Sequence, residues 1–148
     1  MRALRLYAST VFLLLALAAR PVGADTRPGG TWRLIVNPEN PVAAVDRRFV
    51  LEVFLKRTTR WPQDELVRPV DLEPTSPVRQ RFSEDVLKRS VAAVKSYWQQ
   101  MVFSGRGVPP PELDGDEQIV RFVLRNRGAI GYVSEGARIE SARVVQLR

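Results

Sequence analysis

Leu66-Val67-Arg68-Pro69-Val70-Asp71-Leu72-Glu73-Pro74-Thr75-Ser76-Pro77-Val78-Arg79-Gln80-Arg81-Phe82 is the stretch on which the fold turns. Leu66–Leu72 reads as a short apolar strand. Ser76 is a good helix N-cap, and Pro77 suits the first helical position, where its missing N–H costs nothing. Val78, Phe82 and Val86 then line one helical face, and the helix closes at Lys88-Arg89, where cations suit the negative end of the dipole. A strand that feeds directly into a capped helix is the joint of an α/β layer.

The same alternation continues on both sides. Downstream, Ser90 caps a second helix whose Val91, Val94, Trp98, Met101 and Val102 recur at helical spacing. Gly105-Arg106-Gly107 ends it, and Pro109-Pro110-Pro111 blocks any continuation. Asp114 and Glu117 have the spacing of a capping box for a third helix that buries Ile119, Val120 and Val123 and stops before Gly128. Ala129–Val133 and Ala142–Leu147 read as strands. Upstream, Thr31–Val36 is a buried strand, Pro38 and Pro41 bracket a loop, and Val45-Asp46 opens a helix carrying Val50, Val53 and Phe54. Asp46 is its expected cap, with Val45 and Val50 as a hydrophobic staple. A loop over Arg57–Pro62 holds Trp61. The order β-α-β-α-α-α-β-β shows no internal repeat and implies a mixed sheet flanked by helices over residues 31–148.

The N-terminus reads differently. Met1–Tyr7 carries Arg2 and Arg5, Ala8–Ala19 is an apolar run, and Val22-Gly23-Ala24 supplies tolerated residues for a cleavage site. About 12 apolar residues fall short of the ~20 a membrane-crossing helix needs. Residues 1–24 are expected to be a secretory signal, with 25–30 a flexible start and the mature chain periplasmic or secreted, without a stable membrane span. The 148-residue chain carries 23 Lys+Arg and 16 Asp+Glu, a formal charge of +7. Arg2, Arg5 and Arg20 belong to the signal, so the mature chain sets 20 cations against 16 anions, and +4 gives no reason to expect nucleic acid as a partner.

Two absences narrow the chemistry. Without histidine there is no Ser-His-Asp triad or His-bound zinc, and without cysteine there is no thiol catalysis, cluster ligation or disulfide. No nucleophile stands beside a base, so no catalytic residue is assigned. No metal or cofactor is expected, because Asp114, Asp116 and Glu117 suit a helix start better than an ion.

Several stretches resemble the periplasmic substrate-binding proteins of phosphate ABC transporters, and more closely their short relatives that carry about one lobe of that type 2 fold. Val53-Phe54-Leu55-Lys56-Arg57-Thr58-Thr59-Arg60-Trp61 looks like the family's Phe-Leu-Gly-Lys segment with its following Trp-Pro. Pro69-Val70-Asp71 through Phe82 looks like the strand, loop and helix of the anion-binding region. Tyr97-Trp98 with Phe103-Ser104-Gly105-Arg106-Gly107-Val108-Pro109-Pro110 fits the short relatives' Trp…Phe-Thr-Gly-Arg-Gly…Pro-Pro pattern, and Gly128-Ala129-Ile130-Gly131-Tyr132-Val133 matches a recurring strand. The resemblance spans most of Leu34–Val133. It implies a single α/β lobe, no enzymatic activity, and phosphate or a similar oxyanion as ligand. The family's Ser-Gly-Thr turn at a helix N-terminus corresponds here to Thr75-Ser76-Pro77-Val78-Arg79, which keeps a hydroxyl and an Arg but not the Gly-Thr. Pro77 also removes one N–H donor.

The residues alone leave two readings of that turn open. Thr75, Ser76 and Arg79 form an oxyanion seat at the positive end of a helix; or Ser76 only caps, and Arg79 is a solvated side chain paired with Glu73. Function divides accordingly between a solute-binding-like module of phosphate transport or sensing and a cell-envelope interaction or regulatory domain without ligand. Half of a two-lobed fold exposes a cleft wall, so a homodimer or an envelope partner is expected to cover an apolar patch. Tyr97, Trp98 and Phe103 are core candidates or an aromatic platform.

Overall fold

A computed structural model describes residues 30–148. The expected export signal and nearly all of the expected flexible start therefore lie outside the described residues. Among the described residues no helix is long and apolar enough to cross a membrane.

A five-stranded mixed sheet runs β2-β7-β1-β6-β3, built from β1 (Trp32–Val36), β2 (Ala44–Val45), β3 (Arg68–Pro69), β6 (Ala129–Ser134) and β7 (Arg143–Leu147). β1 pairs antiparallel with β6, where Leu34 faces Tyr132, and with β7, where Leu34 faces Val145. β2 joins β7, and β3 joins β6, in parallel. A separate parallel pair is made by β4 (Asp71–Leu72) and β5 (Glu112–Leu113). The helices are α1 (Arg47–Phe54), α2 (Pro77–Phe82), α3 (Val91–Phe103) and α4 (Asp116–Arg125), and a π-helical turn over Ser83–Leu87 prolongs α2.

β6 explains the layering. Ala129 to Val133 are all buried, the pattern of a strand covered on both faces rather than one. Side chains alternate along it. At Gly131 a Cβ would come within 2.8 Å of Ile119 and 2.9 Å of Val70, so α4 packs directly on the backbone there. One residue on, the Tyr132 ring turns to the other face and stacks on Phe82, with centroids 3.7 Å apart and planes 7° off parallel. Phe54 of α1 closes against both rings at 4.8 and 5.8 Å, and Trp32 meets Phe82 edge-on at 5.1 Å.

The elements expected from periodicity form, with three differences. The strand read over Leu66–Leu72 divides: Val70 N–H still donates to Ile130 O at 3.0 Å, but Asp71 N–H donates to Pro111 O at 2.9 Å, so the chain leaves the main sheet between these residues. The capping box at Asp114 does not form. Gly115 (φ +83°) is the N-cap of α4, and the Asp116 carboxylate accepts instead from Ser134 N–H at 3.0 Å, tying the helix start to the end of β6. Asp46 sits at the N-cap of α1 without a side-chain capping bond. Elsewhere the expected caps form. Ser76 Oγ accepts from Arg79 N–H at 3.3 Å, Ser90 Oγ accepts from Ala93 N–H at 3.2 Å, and Lys88 in the left-handed region (φ 54°) ends the π turn.

Two buried side chains finish the α4 end of the sheet. Asn37 donates to Val123 O at 2.9 Å and Leu124 O at 3.2 Å, satisfying carbonyls that the helix end leaves open. Trp61 donates from Nε1 to Gly128 O at 3.0 Å. At Gly128 a Cβ would fall 1.9 Å from Leu66 O, a backbone atom that no rotamer change moves. Gly128→Ala is therefore expected to destabilise more than Gly131→Ala, whose opposing methyls yield for about 1–3 kcal/mol of overpacking. Urea midpoints of the two variants check the order, and equal midpoints would contradict it.

Candidate functional site

The site grows from the point where the chain leaves the main sheet. After Asp71 and Leu72, Glu73 N–H donates to Leu113 O at 3.1 Å and Ser76 N–H donates back to Glu73 O at 3.1 Å, which closes the turn that starts α2. Of the three residues expected at an anion seat, Thr75 is exposed on this turn and Ser76 is half-buried, with its Oγ engaged in the cap. Arg79 is neither solvated nor paired with Glu73. Its side chain is buried, with the residue 2 % exposed. Nη1 forms an ion pair with Asp71 Oδ1 and donates to Leu72 O at 3.2 Å, while Nη2 stands 3.8 Å from Glu112 Oε1. Arg79 Nε, also buried, has no hydrogen-bond partner among the described residues.

Tyr132 completes the arrangement. Its hydroxyl donates to the same Asp71 oxygen and accepts from Leu72 N–H at 3.4 Å. Burial raises the phenol far above its ordinary value, against the opposing pull of the Arg79 charge and the Leu72 N–H, so the hydroxyl keeps its proton and remains a donor. Burial pushes the Arg79 guanidinium down from its ordinary value, and the charges that Tyr132 and Glu112 can carry act the other way. A guanidinium stays protonated under such conditions. The result is a dry cation held by one buried carboxylate, one carbonyl and one half-exposed carboxylate. Chemically it can hold charge and geometry; it has no nucleophile poised beside a base.

Asp71, Tyr132 and Glu112 were not among the expected site residues. Asp71 carried a usable signal, because a carboxylate inside the apolar run Val70-Asp71-Leu72 requires a buried partner. Tyr132 and Glu112 carried none, since they reach Arg79 only through the tertiary fold.

Beside Arg79 opens a groove of about 690 Å³ between α3 and the Pro109–Glu112 segment. Val91, Val94 and Trp98 form one wall, Pro109 and Pro110 the other, and Arg79 contributes to the lining. Trp98 is buried, as its spacing implies, and meets Tyr97 edge-on at 5.0 Å. Tyr97 donates to Leu55 O at 3.0 Å, and the Arg89 and Arg57 guanidinia lie 5.5 and 5.9 Å from its ring centre. Phe103 does not join them; it is 92 % exposed.

No protein-family model matches the chain, and no curated protein matches it. Solved structures do. An ABC-type phosphate transport receptor from Vibrio cholerae superposes with a TM-score of 0.63 at 20% identity, over 81% of this chain and 47% of that one. A Clostridium perfringens structure, described as a phosphate ABC transporter substrate-binding protein with bound phosphate, gives 0.64 at 22% identity, over 81% and 46%. PstS from Borrelia burgdorferi gives 0.62 at 10% identity, over 82% and 48%. The chain thus spans less than half the length of each of these structures, and across that span it has the α/β fold of a phosphate-transport receptor, with a mixed sheet flanked by helices.

Proposed function

We propose that this chain is a non-enzymatic, solute-binding-like module of the cell envelope, periplasmic or secreted after loss of residues 1–24. It holds phosphate or a similar oxyanion at Thr75, Ser76 and Arg79 as part of phosphate transport or sensing. The observation that carries the reading is Arg79 itself, a buried guanidinium carried by the first turn of α2, with an Nε–H that nothing among the described residues accepts. A fold shared with phosphate-transport receptors supports the ligand class. Asp71 sets the strength. Its carboxylate already faces Arg79, so an arriving oxyanion meets a compensated cation, and binding is weak.

The same ion pair favours a second reading, an envelope interaction or regulatory domain without ligand, in which Asp71 permanently occupies the place an anion takes.

Calorimetric titration of residues 25–148, which hold every described element, with phosphate and then sulfate in low-salt buffer separates the two. Asp71→Asn keeps the volume and the acceptor for Tyr132 but removes the competing charge, and is expected to strengthen phosphate binding by about tenfold, the scale of one nearby like charge in partly screened surroundings. It should also make the melting temperature rise with phosphate. Thr75→Val, on an exposed turn, is expected to weaken binding several-fold at unchanged melting temperature. Silence in both the parent chain and a folded Asp71→Asn variant would discard the oxyanion reading and leave the interaction domain.

A further inference from the structure

We propose that the face formed by α3 and the Pro109–Glu112 segment is a two-fold contact between copies of this chain, with Phe103 of each copy seated in the other's groove. The starting observation is a mismatch within α3. Of its 13 residues only Val94 and Trp98 are buried, although the helix is rich in apolar residues. Val102 is 50 % exposed, Phe103 92 % and, just beyond the helix, Val108 62 %. A helix that is apolar beyond its buried stripe is one that is covered from outside. Phenylalanines of this exposure are the residues that dominate contact energetics, each hiding ~150 Å² or more when seated.

Two features of this face favour a second copy as its cover. Phe103 itself lines the groove whose other walls include Val94, Trp98, Pro109 and Pro110, and it is 92 % exposed, so a knob and a hole share one face. The groove carries both charge signs. Lys95 lies on its lining, exposed and without an ion pair among the described residues, and Glu112, also on the lining, is 44 % exposed at its side chain. A foreign partner needs to match only one half of each complement. A two-fold pairing of identical faces uses both halves at once, because residue i meets residue j while j meets i, and Lys95 of each copy then approaches Glu112 of the other.

Sedimentation velocity over a wide concentration range tests this on residues 25–148 and on the full chain. Both are expected to form a concentration-dependent dimer. Phe103→Asp is expected to raise the dissociation constant by about tenfold or more while leaving the urea midpoint of the monomer unchanged, because the side chain contributes nothing to the core. The chain has no cysteine, which allows a direct register test. A mixture of Lys95→Cys and Glu112→Cys chains should form an intermolecular disulfide faster than either variant alone. A monomer at all concentrations, a Phe103→Asp dimer of undiminished affinity, or mixed cysteines that link no faster than the single variants would overturn the proposal. So would a full chain that stays monomeric while residues 25–148 dimerise, since the N-terminal segment would then be the occupant. None of these readouts involves an anion, so the oxyanion reading stands or falls separately.

Discussion

A guanidinium almost wholly withdrawn from water obliges the surrounding chain to answer its charge, and the answer to Arg79 fixes where three elements of this fold meet. Asp71 supplies the counter-charge from β4, Leu72 supplies a carbonyl from the same strand, and Tyr132 of β6 donates to the same Asp71 oxygen. The helix that carries Arg79 touches Tyr132 a second time through Phe82, whose ring stacks on the phenol. The polar and aromatic contacts therefore constrain the same pair of elements from two directions. Removing one partner of such a pair strands a buried charge at about 3–5 kcal/mol, a large share of a domain's total stability of roughly 5–15 kcal/mol. A well-packed apolar trio would give comparable stability. What the ion pair adds is position: it ties Asp71, where the chain leaves the main sheet, to the helix α2 that follows.

That constraint also shows what a sequence reveals and what it withholds. Helices α1, α3 and α4 were legible because their buried residues repeat at 3.6, and the starts of α2 and α3 because Ser76, Pro77 and Ser90 act locally. β2 and β5 were not legible: each has two residues, too few to show any period. The division of Leu66–Leu72 into strands of two sheets was hidden for another reason. Continuity of apolar character says that a segment is buried, not which neighbour its backbone pairs with. Asp114 read as a cap because the spacing to Glu117 is right, yet Gly115 at positive φ takes that position and frees Asp116 for Ser134, a bond between residues 18 apart. Arg79 is the sharpest case. Its local neighbour of opposite charge is Glu73, while its actual partners lie in strands that only the tertiary fold brings near.

The candidate anion seat inherits this arrangement. Hydroxyl, helix start and arginine are adjacent in sequence, but the Arg79 guanidinium is engaged by Asp71 and Leu72. The cap uses Ser76 Oγ only as an acceptor and leaves its O–H to donate, while Pro77 offers no N–H, so the turn itself presents little beyond the Thr75 and Ser76 hydroxyls. What the turn lacks, the guanidinium can supply only against Asp71. A site of this kind is governed by competition between an internal and an external anion, and its affinity is set by the internal one. Tyr132 bears on the outcome, because a phenol that keeps its proton stabilises the Asp71 carboxylate and so strengthens the competitor.

The two long helices behind the core face different fates. α4 turns Ile119, Val120 and Val123 onto β6 so closely that a glycine is needed at Gly131, and its outward face is charged, with Arg121 reaching Glu117 one turn back. It is a finished surface. α3 faces the proline segment across the groove, and its last turn leaves Val102 and Phe103 exposed on the groove's lining. Exposed single apolar residues are ordinary on any protein, but a protruding ring beside a groove of apolar walls is a contiguous feature, and it is contiguity that marks a contact surface. The same groove borders Arg79, so a copy seated there would lie against a cation that Asp71 already answers and the fold already keeps from water.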